Sequence, residues 1–242
     1  MYLLPRPQEM LLQDNVFYVD YTAEICIDPE ASPEWLHYAS LLQKEIEQDT
    51  GFHLNINRNL PVFQTPSILL KSTSGHSQQE YTLRIRESGI LLTASSNSGM
   101  LYAIQTLRQI IRQEGACLPG LDIHDFPVIS NRGLYYDVTR SRIPTLSYLK
   151  KMADTLSFYK INQLHLYIEH TYMFRNLSEV WRDDTPLTSS DILELDRYCA
   201  DLGIELVPSI ASFGHLYKIL RTKSFRHLCE REDLCEEPFG FI

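Results

Sequence analysis

The sequence predicts an α/β chain in two parts. An α+β domain spans residues 1–128, and the first three βα units of a (β/α)8 TIM-type barrel, left incomplete, span 129–242. Three observations predict this. Up to Asp125, short strands alternate with two amphipathic helices; from Ile129 the rhythm becomes strand, helix, strand, helix, strand; and the later strands end in polar and charged residues rather than glycines.

In the first part, residues 16–27 (VFYVDYTAEICI) read as one extended strand. Residues 34–48 are helical, with Leu36, Leu41, Leu42 and Ile46 as the apolar stripe. Short strands follow over 53–57, 67–71, 81–87 and 89–94. Tyr81, Leu83 and Ile85 alternate with Thr82, Arg84 and Arg86, the two-residue period of a half-buried strand. Ser88-Gly89 supplies the hairpin turn. Met100, Leu101, Ile104, Leu107 and Ile111 then share one helical face. An antiparallel sheet covered by one or two helices accounts for this region, which gathers no carboxylates, histidines or glycine-rich loops.

In the second part, 132–138 (RGLYYDV) is a strand, and Thr145 caps a helix carrying Leu146, Leu149, Met152, Ala153 and Leu156. The next strand is 162–169. Thr188 and Asp191 have capping-box spacing before a helix that carries Ile192, Leu195, Cys199 and Leu202, and Gly203 can close it in the left-handed conformation. The third strand is 204–210. A nucleotide fold would place glycines after the first strand, and DVTRSRIPT has none. A barrel instead builds its site at the carboxyl ends of its strands. Asp137 and Arg140 follow the first, Glu169 and His170 the second, Ser212 and His215 the third. A helix-like stretch, 216–229, and an acidic tail, 230–242, close the sequence.

Composition narrows the function classes. The 242 residues carry 22 Lys+Arg and 31 Asp+Glu, a net charge of −9, without basic clusters, which argues against nucleic acid. Apolar residues make up 44 % and aromatics 11 %, enough for a core and unlike a disordered chain. No apolar run reaches the roughly 18–20 residues of a membrane helix, so no membrane partner is expected. The polar, proline-containing start is unlike a secretory signal. Cys26, Cys117, Cys199, Cys229 and Cys235 are scattered and odd in number, which suggests reduced thiols in a cytoplasmic protein. No cofactor and no metal is expected. His165 and Glu169 share a strand face, but two ligands without a third are a weak metal signal.

NRGLYYDVTRSRIPTLSYLKKMADTLSFYKINQLHLYIEH resembles the opening of the catalytic barrel of glycoside hydrolase family 20, the β-N-acetylhexosaminidases. Arg132, Gly133, Asp137 and Arg140 match its RGxxxDxxR-type first strand. Tyr159, Lys160 and Asn162 match the turn into the second strand, and Pro208 through Gly214-His215 match the third. Gly99 to Leu107 resembles the G-x-x-Y-A-x-Q-T-L helix of the small domain that precedes the barrel. Glu169-His170-Thr171-Tyr172-Met173-Phe174 and Phe213-Gly214-His215 depart from typical members and are similar to a divergent hexosaminidase D-like branch.

The resemblance implies removal of terminal β-linked N-acetylhexosamine by substrate-assisted, retaining hydrolysis. The sugar's acetamido oxygen attacks the anomeric carbon, a Glu protonates the leaving oxygen, and an Asp orients the acetamido group. That Asp-Glu pair follows the fourth strand in the family. Only 111 residues run from Arg132 to Ile242, against about 250 for a whole barrel, so the catalytic Asp and Glu are expected to be missing from this chain. Little or no turnover is then expected of the chain by itself.

The resemblance implies that Arg132 grips the sugar's outer hydroxyls and that His215 supports the acid. The competing reading of Arg132 is a rim pair with Asp137 or Asp125, and that of His215 is packing at a helix start. Asp137 serves either the site or a structural hydrogen bond. Glu169 and His170 point to opposite faces of an extended strand, and Glu169 is the one expected to face the sugar. Tyr135, Tyr136, Tyr167, Tyr172 and Trp181 are candidates for stacking on sugar rings or for ordinary packing. The expected partner is an N-acetylhexosamine-containing saccharide, with self-association through the open barrel edge. The alternative function is a non-catalytic carbohydrate-binding or interaction protein, or an inactive fragment, derived from such a barrel.

Overall fold

A computed structural model describes residues 1–61, 66–140 and 142–230. The acidic tail from residue 231, with Cys235, lies outside the described residues. Two compact units emerge: residues 1–130 together with 158–160, and the remainder from Asn131.

The first unit begins with β1 (Glu9–Tyr18) and β2 (Glu24–Ile27). Residues 16–27 are therefore not one strand. Asp20 breaks them, its Oδ1 accepting the Thr22 N–H at 2.7 Å and its carbonyl accepting the Ala23 N–H. Helix α1 (Trp35–Thr50) follows and ends at Gly51, whose φ of 79° only glycine adopts without strain. Its buried stripe is Trp35, Tyr38, Ala39, Leu42 and Ile46, whereas Leu36 is 54 % exposed. The Trp35 indole donates to Asn97 Oδ1 at 3.0 Å.

Then come β3 (Asn55–Asn57), β4 (Ser67–Ser72), the hairpin β5 (Tyr81–Arg86) and β6 (Gly89–Ala94), α2 (Asn97–Glu114) and β7 (Cys117–Asp125). Ser96 caps α2 by accepting the Gly99 N–H at 3.0 Å. Strand β7 has no counterpart in the sequence reading, because Pro119-Gly120 resembles a turn; its ladder partners β1 and β5 flank it instead.

The sheet order is β1-β7-β5-β6-β4-β2-β3, and the sheet is mixed rather than antiparallel. β3, β2, β4 and β6 run parallel, because α1 carries the chain back between β2 and β3. Ile25, Ile68, Leu70, Leu83, Ile85 and Leu92 meet Leu42, Ile46, Met100, Ile104 and Leu107 in a fully buried core. Glu45, 2 % exposed, is gripped by Arg108 and Arg112. Burial pushes its carboxyl up, but the Arg112 and Arg108 bonds outweigh this and hold it below the usual range.

The second unit contains β8 (Gly133–Asp137), α3 (Leu146–Phe158), β9 (Gln163–Ile168), a turn of helix α4 (Ser178–Trp181), α5 (Ser189–Asp201), β10 (Glu205–Ile210) and another single turn, α6 (Tyr217–Leu220). The strands are parallel in the order β10-β9-β8. Thr145 Oγ1 accepts the Tyr148 N–H ahead of α3, at 3.3 Å. Thr188 and Asp191 form the reciprocal capping box of α5, and Gly203, φ 69°, follows its end. Leu164, Leu166 and Ile168 of β9 are buried, as are Leu149, Ala153, Leu195 and Cys199 of the helices. The helix expected over 216–229 is only α6 and a 3-10 turn (Arg226–Leu228). Lys223 and Ser224 interrupt the apolar stripe that would have carried it further.

Candidate active site

Side chains alternate across β8, β9 and β10, so one sheet face packs apolar residues and the other carries Tyr135, Asp137, His165, Tyr167 and Ser209. The parallel register sets Tyr135 beside His165, Asp137 beside Tyr167, and Tyr167 beside Ser209. The Tyr135 and Ser209 hydroxyls bond at 2.8 Å, and the rings of Tyr135 and Tyr167 lie 5.9 Å apart. A Cβ at Gly133 would stand 3.2 Å from the His165 ring, which would have to give by a few tenths of an ångström.

At the carboxyl ends of the strands four expected or matching residues converge. Asp137 Oδ1 accepts the N–H groups of Thr139 (2.8 Å) and Arg140 (3.1 Å), while Oδ2 accepts Arg140 Nε. Burial alone would raise the Asp137 pKa; these three bonds outweigh it and lower it. Asp137 is thus an ionised turn anchor that aims Arg140. The Arg140 guanidinium lies 5.2 Å from the Tyr167 ring centre, with its side chain 56 % exposed toward solvent.

Glu169, its side chain 13 % exposed, accepts the Tyr167 hydroxyl at 2.8 Å and lies 3.7 Å from His215 Nδ1. The His215 ring stands edge-on to Tyr167, and its backbone sits at φ 61°. Burial and the Glu169 carboxylate push the Tyr167 phenol up to about 12, so it stays a donor at neutral pH. The Glu169 N–H is fixed by Thr139 Oγ1 at 3.0 Å.

Two expected residues are placed elsewhere. Arg132 precedes β8, at the amino ends of the strands. Its N–H donates to Asn162 Oδ1 at 2.7 Å, and its carbonyl accepts the N–H groups of Asn162 and Gln163. Five residues of strand, roughly 16 Å, separate it from Asp137, so it does not join the cluster. His170 lies beside Thr139, Thr171 and Lys218, with its Nδ1 4.0 Å from Glu169 Oε2. Burial, with Lys218 nearby, holds its imidazole below the usual histidine range. Among the described residues no adjacent Asp-Glu pair follows a strand.

Arg140 and Tyr167 complete the site; from sequence Arg140 was placed only as a polar residue following the first strand and a motif match, and Tyr167 only as a candidate for stacking or packing. The carboxyl-end rule finds both, because Arg140 lies three residues past β8's last and Tyr167 shares Glu169's strand face.

Two sequence models match the chain: Glycosyl hydrolase family 20, domain 2, over residues 1–126, and Glycosyl hydrolase family 20, catalytic domain, over residues 130–236. The beta-hexosaminidase of Porphyromonas gingivalis is 25 % identical over 88 % of this chain and 30 % of its own length. That of Akkermansia muciniphila is 28 % identical, over 80 % and 39 %. The chain thus spans between 30 % and 39 % of the length of these relatives. Among solved structures, Streptomyces plicatus N-acetyl-beta-hexosaminidase in complex with Thio-NAglucal superposes with a TM-score of 0.80 at 22 % identity, covering 90 % of this chain and 47 % of that one. The exo-beta-N-acetylglucosaminidase of Vibrio harveyi in complex with N-acetylglucosamine gives 0.79 at 23 %, covering 96 % and 39 %. At such identity the likeness establishes the fold: the three βα units are those of an incomplete barrel.

Proposed function

The chain belongs to glycosyl hydrolase family 20, and on that footing we propose that it serves the removal of terminal β-linked N-acetylhexosamine by substrate-assisted, retaining hydrolysis. The observation that carries this reading is the convergence of Asp137, Arg140, Tyr167, Glu169 and His215 at the carboxyl ends of three parallel strands. Arg140 presents a forked donor to the sugar's outer hydroxyls, with Asp137 holding it in place. Glu169, with His215 Nδ1 3.7 Å away, forms the charged and polar set that supports the general acid. The acid and the Asp that orients the acetamido group are not among the described residues, which supply grip and orientation. The unpaired thiols of Cys26, Cys117, Cys199 and Cys229 support a reducing, cytoplasmic setting.

Calorimetric titration with N-acetylglucosamine tests the reading. Arg140→Ala should weaken binding about ten- to a hundredfold, the worth of a charge-assisted hydrogen bond, while Arg132→Ala should leave it unchanged. Equal losses in both variants, in proteins that melt like the parent, would reject the assignment.

A second reading is a carbohydrate-binding protein without turnover, favoured by the exposed Arg140 guanidinium and the Tyr167 ring gathered at the strand ends. Saturable sugar binding without release of an aryl leaving group from an aryl N-acetyl-β-glucosaminide separates it from the first. Release of that group at a steady rate eliminates it. Each of β8 and β10 is paired on one side only among the described residues, and self-association through these edges belongs to the same proposal.

A further inference from the structure

We propose that the pocket lined by Thr139, Arg142, His170, Arg182, Asp184 and Lys218 is a binding site for an oxyanion, a sulfate, phosphate or carboxylate group. The pocket lies within the second unit and encloses about 470 Å³. That is several times the size of a bare oxyanion and within the range of small-ligand pockets, so it has room for an oxyanion and part of what carries it.

The charges favour an anion. Arg142, Arg182 and Lys218 line the pocket against two carboxylates, Asp183 and Asp184. Arg182 lies 3.7 Å from Asp183 and Lys218 lies 3.3 Å from Asp184, so these pairs are mutually neutralised. Arg142 is not neutralised in this way. Its guanidinium rests 5.0 Å from the Tyr148 ring centre, and no carboxylate pairs with it among the described residues. One full positive charge is left over, on the side chain whose planar fork suits an oxyanion best.

The second observation is His170. Its side chain is only 8 % exposed and lines the pocket, and Glu169 Oε2, 4.0 Å from its Nδ1, is beyond hydrogen-bond reach. The ring nitrogens are not sealed in the core, so the imidazole is open to a ligand in the pocket. Being neutral, it offers one N–H to a ligand oxygen. The pocket also adjoins the Glu169 cluster through a shared wall: Thr139 Oγ1 receives the Glu169 N–H and lies 3.1 Å from Thr171 Oγ1. An oxyanion here is therefore either a free ion or a charged substituent of a saccharide held at Glu169. Only the saccharide arm rests on the function proposed above.

The test uses the 242-residue chain, its histidine ring resonances followed by NMR while inorganic sulfate replaces chloride at constant ionic strength. The expected result is a saturable shift of the His170 ring, with affinity about tenfold weaker in Arg142→Gln and in Lys218→Gln, as loss of one charged hydrogen bond implies. Equal responses to sulfate and chloride, or an affinity unchanged in both folded variants, would overturn the proposal. Titration with N-acetylglucosamine 6-sulfate identifies the source. Tighter binding than inorganic sulfate assigns the site to a substituted sugar, and equal or weaker binding assigns it to the free ion. Unsubstituted N-acetylglucosamine binding lost in Arg140→Ala reports separately on the Glu169 cluster, so the two readings fail independently.

Discussion

Tyr167 links three members of the cluster: its hydroxyl holds Glu169, its face lies near Arg140, and its ring stands perpendicular to that of His215. Tyr167→Phe removes one hydrogen bond and keeps the ring. The affinity for N-acetylglucosamine should fall about three- to tenfold by calorimetry, with the near-ultraviolet circular dichroism otherwise preserved. Two histidines give opposite pH signatures. His124 bonds Glu80 at 2.9 Å and faces Glu9 at 3.6 Å, and the Glu80 bond raises its pKa above 6.5. Its contribution is complete below 6.5 and is lost as pH rises through the raised folded value. His170, lowered by burial, behaves in reverse: below 6.5 the unfolded ring takes up a proton that the folded ring resists, and stability falls. Urea unfolding from pH 5 to 8 should therefore show His124→Gln losing its disadvantage as pH rises, and His170→Gln gaining on the parent as pH falls. Glu80 adds an acid-side effect. The Ser77 N–H and His124 hold it at about 2, so its contribution is present above 4.5 and lost on acidification toward 2.

At the scale of the element, capping decides where helices begin. Thr188 and Asp191 satisfy each other's backbone groups at the start of α5, with bonds of 2.8 and 3.1 Å. Thr188→Ala should cost about 1 kcal/mol in urea unfolding, and a cost near zero would mean that solvent replaces the cap. The start of α2 is limited by space instead. A Cβ at Gly99 would lie 2.5 Å from the Glu80 carbonyl and 3.1 Å from Ala94 Cβ. Gly99→Ala should therefore destabilise by about 1–3 kcal/mol despite alanine's better helix propensity, as overpacking does. The same α2 was legible in the sequence, because its apolar residues recur at helical spacing and Ser96 precedes them. The face of α1 was legible for the most part, since Leu42 and Ile46 are buried and Leu41 packs against the core. Leu36 alone is exposed, and Trp35, whose indole bonds Asn97 62 residues away, is buried instead.

On the scale of the whole chain, each unit has its own core, and the first also buries charge. Lys160 Nζ donates to Asp125 Oδ2 at 3.0 Å and to the Tyr81 hydroxyl at 2.8 Å, with all three side chains buried. Asp125→Ala strands the ammonium and should cost about 3–5 kcal/mol, whereas pairing Asp125→Leu with Lys160→Met should recover much of that loss. Sedimentation velocity checks the proposed edge pairing: the sedimentation coefficient should rise with concentration, and a value constant over a hundredfold dilution would reject it. The sequence by itself determined the βα rhythm after Ile129, the β5–β6 hairpin, the helix caps and the family, because periodicity and caps depend on neighbours a few residues apart. It also carried the carboxyl-end rule, which places Arg140 rather than Arg132 with Asp137 and Glu169. Only the tertiary structure decided the mixed strand order, the pairing of β7 through Pro119-Gly120, the partners of Lys160 and the surroundings of His170. Those depend on groups that lie far apart along the chain and meet only when strands and helices pack.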